Sequence, residues 1–150
     1  MPTSAPSLRP ATEGDFETLY RIDEECYPRG IAYSRRTLKW FLALPGAECL
    51  VTEVGEAIAG FILSDADGRQ AHIITIDVLA EQRRAGVGTL LLREAERRLA
   101  ARGVREVHLE TAHDNHAAIA FWEKHGYRTC GVMRNYYLDR IDALAMIKNL

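Results

Sequence analysis

Arg83-Arg84-Ala85-Gly86-Val87-Gly88 stands between two contrasting stretches of the chain. Before it, Ile73-Ile74-Thr75-Ile76-Asp77-Val78-Leu79 reads as a buried strand. After it, Thr89-Leu90-Leu91-Leu92-Arg93-Glu94-Ala95-Glu96-Arg97-Arg98-Leu99 has the period of an amphipathic helix. A strand that turns through glycine into a helix points several backbone N–H groups at one place. The first turn of the helix has no internal partner for them, so that place attracts a phosphate or pyrophosphate. Gly86 and Gly88 let the backbone approach such a group without a Cβ in the way. Neither standard nucleotide loop is present. No Gly-Lys-Ser/Thr follows, and a dinucleotide fingerprint needs a third glycine and an acidic residue about 20 positions on. A strand-to-helix turn that merely needs glycine satisfies the same letters.

Working outward, the remaining elements alternate regularly. Leu8-Arg9 reads as a short strand. Thr12-Glu13-Gly14-Asp15 resembles a capping box ahead of a helix to about Cys26, and Ser34 caps a second helix ended by Pro45-Gly46. Glu48 to Val54 and Ala57 to Ser64 form a hairpin, and Asp65-Ala66-Asp67-Gly68 is the next turn. Beyond the helix at 89–99, closed by Gly103, Val104 to Glu110 alternates as a strand. Asp114 or Asn115 caps a helix ending at Gly126, and Tyr127 to Met133 and Ala143 to Ile147 close the chain as strands. The order β-α-α-β-β-β-α-β-α-β-β is an α/β sandwich on a mixed sheet. We expect one domain over residues 1–150, with 1–7 a flexible Pro/Ser-rich start.

Bulk properties narrow the function classes. The 150 residues, 47% hydrophobic and 27% charged, are those of an ordinary globular domain with its own core. A net charge of −2 gives no electrostatic case for nucleic acid or an anionic membrane, and the arginine pairs are interleaved with acids. No secretory leader or membrane-length apolar run is visible. Cys26, Cys49 and Cys130 have no metal or redox spacing and read as reduced thiols in a cytoplasmic protein. The five histidines lack the partners of a metal site, so no metal is expected.

The residues Arg83-x-x-Gly86-x-Gly88 after a strand resemble the acetyl-CoA signature of the GNAT N-acetyltransferases, and the element order is similar to that family's fold, a mixed, mostly antiparallel sheet with helices on both faces. Leu109-Glu110-Thr111 through Asn115, Phe121-Trp122 and Gly126-Tyr127 resembles the family's strand-loop-helix segment beneath the pantetheine arm. Its similarity is to the RimI-like ribosomal-protein alanine and other protein N-terminal acetyltransferases, as is that of Arg134-Asn135-Tyr136-Tyr137. The resemblance covers roughly residues 71–150. It implies acetyl-CoA as cosubstrate, held by Ile76, Asp77, Val78, Arg83, Arg84, Ala85, Gly86, Val87, Gly88, Thr89, Asn115, Phe121 and Trp122. It also implies Glu110 as the base, Tyr136 and Tyr137 against the acceptor, and a monomer or homodimer. Tyr33, between the first two helices, is a candidate for the opposite wall.

Elementary chemistry sits beside this reading. Acetyl transfer needs an unprotonated amine. An α-amine of pKa ~7.7–8.0 is about a tenth neutral at pH 7, a lysine near 10.4 far less, so a modest base suffices for a chain terminus. Glu110 supplies a carboxylate at a strand end, although it also alternates with Glu106 and His108 as an ordinary outward set. Trp122 stands where the RimI-like group has a tyrosine acid, and indole cannot protonate a departing thiolate. Tyr136, Tyr137, water, or no dedicated acid remain open for that proton, and Trp122 packing into the core is an equal reading. Asn115 is equally an N-cap, and Tyr136 and Tyr137 plain strand aromatics. The favoured acceptor is a protein or peptide N-terminus reached by direct transfer. A small-molecule amine acceptor, or a CoA-binding module that has lost catalysis, are the alternatives.

Overall fold

The protein is described by a computed structural model over residues 5–83 and 85–150. Its elements run β1 (Ser7–Pro10), α1 (Phe16–Cys26), α2 (Arg35–Leu42), β2 (Ala47–Val54), β3 (Ala57–Asp67), β4 (Gln70–Val78), α3 (Val87–Ala101), β5 (Glu106–Ala112), α4 (His116–Lys124), β6 (Arg128–Tyr137) and β7 (Ile141–Asn149), the order the sequence predicts. Single 3-10 turns precede α1 and follow β4. Of the flexible start expected for 1–7, residues 1–4 lie outside the described residues, and Ser7 already pairs with Glu53. No described helix is long and apolar enough to cross a membrane.

Local chemistry sets the helix starts. The Ser34 hydroxyl accepts from Thr37 N–H at 3.1 Å, and Asn115 Oδ1 accepts from Ala118 N–H at 3.2 Å. Asp15 accepts from Thr12 N–H at 2.7 Å; its hydrogen bond to Arg9 holds this carboxyl down at about 2. Several boundaries differ from expectation. The β3–β4 turn falls at Gly68, because Ala66 and Asp67 still pair with Ala71 and Gln70. β5 starts at Glu106 rather than Val104, because Val104 is spent on closing α3, donating its N–H to Leu99 C=O at 3.0 Å. β6 and β7 run on to Tyr137 and Asn149, which carries the Tyr136-Tyr137 pair onto a strand.

Seven strands form one sheet in the order β1-β2-β3-β4-β5-β7-β6, antiparallel except where β4 meets β5. Each face buries its own core. Leu19, Ile22 and Leu38 of α1 and α2 pack on Val51, Phe61 and Leu63. On the other face Leu91, Leu92, Ala95 and Leu99 of α3 pack with Trp122 and Tyr127 on Leu50, Ile62, Ile73, Val107, Leu109 and Met146.

Two irregularities create the site. In β4, Leu63 pairs with Thr75 but Ser64 with Ile73, so Ile74 is an extra residue, a β-bulge. Ile73 packs on the α3 side, Ile74 on the α1–α2 side, and Ile76 and Val78 on the α3 side again. The bulge therefore turns Thr75 and Asp77 toward α1. Second, β4 and β5 pair only from Gln70 to His72 against Glu106 to His108. Beyond that point β4 continues to Val78 and β5 to Ala112 unpaired with each other, leaving a wedge-shaped opening in mid-sheet.

Because Phe61 is fully buried beneath α1 and α2, Phe61→Ala should cost about 3–5 kcal/mol in denaturant unfolding. Val132→Ala, at an exposed site, should stay within ~0.5 kcal/mol of wild type.

Candidate active site

Two groups of backbone donors face the site, one in the opening and one at the glycine turn that follows it. Leu79 N–H donates to Ala59 C=O at 2.9 Å, and Gly60 pairs with Val78. Antiparallel alternation then turns the Ile76 and Val78 backbone away from β3, into the opening. Their carbonyls accept from the Tyr27 hydroxyl (3.1 Å) and Arg83 Nε–H (3.0 Å), so both carbonyls are satisfied and the N–H groups face the gap. Asp77 differs: its backbone belongs to the β3 side, opposite Phe61, and its side chain is 1% exposed.

Gly86 is the α3 N-cap in the left-handed region, φ +82°, where a side chain strains the backbone. Leu90 N–H is the first to bond back along the helix, to Gly86 C=O at 3.0 Å. The N–H groups of Gly86, Val87, Gly88 and Thr89 precede it and have no helical carbonyl to reach, which makes them donors for an anion at the helix N-terminus. Gly88 serves a different end: a Cβ there would meet the Phe121 ring at 3.3 Å, so its absence seats α3 against α4. Ala85 N–H is already bonded to Gln82 C=O at 3.3 Å. The Thr89 hydroxyl shares a hydrogen bond of 3.0 Å with His125 Nε2. Arg84 lies outside the described residues. A helix N-terminus, adjoining strand N–H groups and glycine at the turn suit a ligand with a phosphate at one end and amides along its length.

On the adjoining helix, Phe121 meets Trp122 and His125 edge to face, at 5.1 and 4.7 Å between ring centroids. Trp122 is 5% exposed and packs within the α3-side core against Tyr127. The packing role open in the sequence is the one its position meets. Asn115 Oδ1 is committed to the α4 cap.

A carboxylate, Glu110, lies at the opposite lip. Val107 and Leu109 face the α3 core, so His108 and Glu110 face the α1–α2 side. Glu110 Oε1 accepts from His72 Nε2 at 2.9 Å and from the Tyr136 hydroxyl at 3.3 Å. With both donors on Oε1, no described residue donates to Oε2. Burial works against ionising Glu110, yet the hydrogen bond and charge of His72, with Tyr136 donating, outweigh it and hold this carboxyl below the ordinary glutamate value. Tyr136 moves the other way: burial and the Glu110 charge raise its hydroxyl, which stays protonated at neutral pH. His72 was not legible as a site residue in the sequence. The His72–His108 pairing of β4 and β5 brings it to Glu110, 38 positions away. The His72 ring stacks on His108 at 5.4 Å and borders a hollow of about 210 Å³ shared with Asp65, Asp67 and Gln70.

Around this carboxylate stand the aromatic residues singled out in the sequence. Tyr136 and Tyr137 meet edge to face at 4.8 Å. The Tyr33 hydroxyl is raised by burial and by the proximity of Tyr136 and Tyr137, and it reaches Ile74 C=O at 3.5 Å. Gly30, in the α1–α2 loop, touches Leu138 of the β6–β7 turn: a Cβ on Gly30 would fall 2.4 Å from Leu138 Cδ2. Asn135, near the end of β6, and Leu138 and Asp139, in the turn, hold positive φ of 52°, 55° and 54°, a strained backbone for residues with a side chain. The structure thus gathers Tyr33, Glu110, Tyr136 and Tyr137 on one face and the glycine turn on the other, with the opening between them.

Comparison with known proteins agrees with this geometry. The acetyltransferase (GNAT) family model matches residues 16–127. A protein named N-alpha-acetyltransferase from Saccharolobus solfataricus is 27% identical, over 96% of this chain and 93% of its own length. The ribosomal-protein-S18-alanine N-acetyltransferase of Escherichia coli superposes with a TM-score of 0.88 at 25% identity, covering 97% of this chain and 94% of that one. Ard1 of Thermoplasma volcanium superposes with 0.90 at 26% identity, covering 97% and 98%. The chain belongs to the acetyltransferase (GNAT) family.

Proposed function

We propose that the protein acetylates the α-amino group of a protein or peptide, taking the acetyl group from acetyl-CoA by direct transfer in a ternary complex. The observation that carries this reading is the convergence of His72 and Tyr136 on Glu110 Oε1, which leaves Oε2 as the open oxygen of an ionised carboxylate. An α-ammonium group is attracted to that charge. Glu110 then accepts its proton, directly or through one water, as the lone pair becomes the nucleophile. His72 and His108, stacked beside Glu110 and bordering the hollow, line the route by which the proton leaves.

Acetyl-CoA suits the donor set of the opposite face and supplies an acetyl group activated as a thioester. The N–H groups of Gly86 to Thr89 would hold its pyrophosphate, and those of Ile76 and Val78 its pantetheine amides. Tyr136, protonated and bonded to Glu110, is the hydroxyl nearest the base and takes the acid role that Trp122 cannot. A covalent cysteine route has no support. Burial pushes the Cys26 thiol up to about 11 and the Cys49 thiol up to about 12, away from the thiolate form.

Two observations favour a chain terminus as acceptor. The α1–α2 loop meets the β6–β7 turn at Gly30 and Leu138, and a cleft bounded by that contact suits an acceptor that enters end-on. The similar archaeal protein carries the name N-alpha-acetyltransferase, and that of Escherichia coli the name of an alanine N-acetyltransferase.

Three measurements follow. Gly86→Val forces a branched residue into a left-handed position and a side chain toward the pyrophosphate; calorimetry should read at least a tenfold loss of CoA affinity, about 1.4 kcal/mol. Unchanged affinity in a folded variant removes this cradle. Glu110→Gln should lower turnover ~10²-fold at pH 7 and less at pH 9, where the amine is neutral without help, with CoA affinity little altered. Since Glu110 titrates below the ordinary range, the wild-type profile should show no carboxylate limb above about pH 6, and the Glu110→Gln profile should rise more steeply than wild type as the amine titrates near ~7.7–8.0. Finally, kcat/KM for an N-terminal tetrapeptide should exceed that for the corresponding free amino acid, because remote contacts orient the amine. Equal values, or a preference for a free amino acid or polyamine, would shift the acceptor to a small molecule.

A further inference from the structure

The β4 bulge turns Asp77 away from the cofactor side and against α1, where it meets Asp23. Both aspartates are 1% exposed. Asp77 Oδ1 accepts from the Thr75 hydroxyl, and Asp23 Oδ2 accepts from Tyr33 N–H at 2.7 Å. That leaves Asp77 Oδ2 and Asp23 Oδ1, both buried and neither with a hydrogen-bond donor from any described residue. Two buried acceptors, each lacking a donor and on carboxyls close enough for Asp23 to act on Asp77 as a hydrogen-bond partner, are satisfied together by a single hydrogen. Two unpaired buried carboxylates would instead repel and each bear a large desolvation cost.

We propose that Asp23 and Asp77 share one proton and act as a positioning pair, tying α1 to β4 and, through Tyr33 N–H, fixing the wall of the acceptor cleft. The link runs from the strand beneath the cofactor face to the loop that carries Tyr33, whose hydroxyl is raised in part by the proximity of Tyr136 and Tyr137. Neither carboxyl touches the reacting groups; the pair acts on the reaction by holding the loop. Its effect on acceptor binding rests on the function proposed above, whereas its protonation does not.

The groups facing the pair come from every element around it. They are Cys26 on α1, Tyr27 and Tyr33 in the loop beyond, Cys49 on β2, Thr75 on β4 and Arg83 after β4. Burial, then the hydrogen bond and charge of Asp23, raise the Asp77 carboxyl well above the ordinary aspartate value, and Thr75 and Arg83 oppose this only in part. The folded state thus keeps a proton that the unfolded chain releases near ~3.9. The stability this proton supplies is full below that value and is lost as pH rises toward the folded-state titration.

Side-chain carboxyl NMR on aspartate-labelled full-length protein tests the proposal. One aspartate should remain protonated at pH 7, and its signal should vanish in Asp77→Asn. If every aspartate carboxyl has ionised by about pH 5, near ordinary values, the shared proton is ruled out. The melting temperature of Asp77→Asn relative to wild type should climb between pH 5 and 8, since its amide donates to Asp23 at any pH; parallel curves would contradict the proposal. For the positioning role, Asp23→Ala should raise the peptide KM about fivefold or more, ~1 kcal/mol, with CoA affinity within about twofold. Asp23→Asn, which can still accept from Tyr33 N–H and donate to Asp77, should restore it. Equal losses of CoA and peptide binding would overturn the positioning role. Should no peptide be a substrate, the acceptor assignment fails while the NMR and melting results still decide the pair.

Discussion

The parting of β4 from β5 is the constraint on which the rest of the molecule depends. Two parallel strands begin as partners and hold register only from Gln70 to His72. Were pairing to continue, the backbone N–H groups of Ile76 and Val78 would be consumed by the sheet, and no path would join its two faces. Because pairing stops, a gap opens in the middle of the sheet, with the donors of the glycine turn on one side and Glu110 on the other. The bulge at Ile74 belongs to the same arrangement: it moves Ile76 and Val78 to the α3 side while giving Asp77 to α1.

Charge at the gap is managed by contrast between neighbours. Glu110 and Asp77 are both largely buried carboxyls that belong to or approach the same opening, yet they move in opposite directions. Glu110 has His72 and Tyr136 as donors, and these outweigh its burial. Asp77 has a hydroxyl and a second carboxyl, and burial prevails. One is thereby suited to accepting a proton and the other to keeping one, as expected wherever environment separates paired titratable groups. The Trp122 indole fills the α3-side core, and the hydroxyl that reaches Glu110 is contributed by Tyr136 of β6.

Much of this was legible in the sequence because the signals are local. Glycine at 86 between an apolar strand and an amphipathic helix, Ser34 and Asn115 as caps, and the alternation of short elements suffice for the element order and the anion-binding turn. Non-local features were not legible. The alternation of Ile73 to Leu79 does not reveal an extra residue at Ile74, so Asp77 reads as facing the cofactor when its side chain faces α1. His72 has no local signal at all; only the parallel register with His108 brings it to Glu110. Asp65-Ala66-Asp67-Gly68 reads as a turn although β3 runs to Asp67, because acidic residues at a sheet's solvent end carry the same composition as a turn.

The most direct test of the account is the structure of the protein with a covalent CoA–peptide conjugate in which the peptide α-nitrogen stands beside the sulfur. The account predicts pyrophosphate oxygens on the N–H groups of Gly86 to Thr89 and the pantetheine threading between β4 and β5. It places the α-nitrogen within hydrogen-bond reach of Glu110 Oε2, directly or through one water, about 2.6–3.2 Å per step. A conjugate bound with its nitrogen remote from Glu110, or with its phosphates away from the α3 N-terminus, would contradict it.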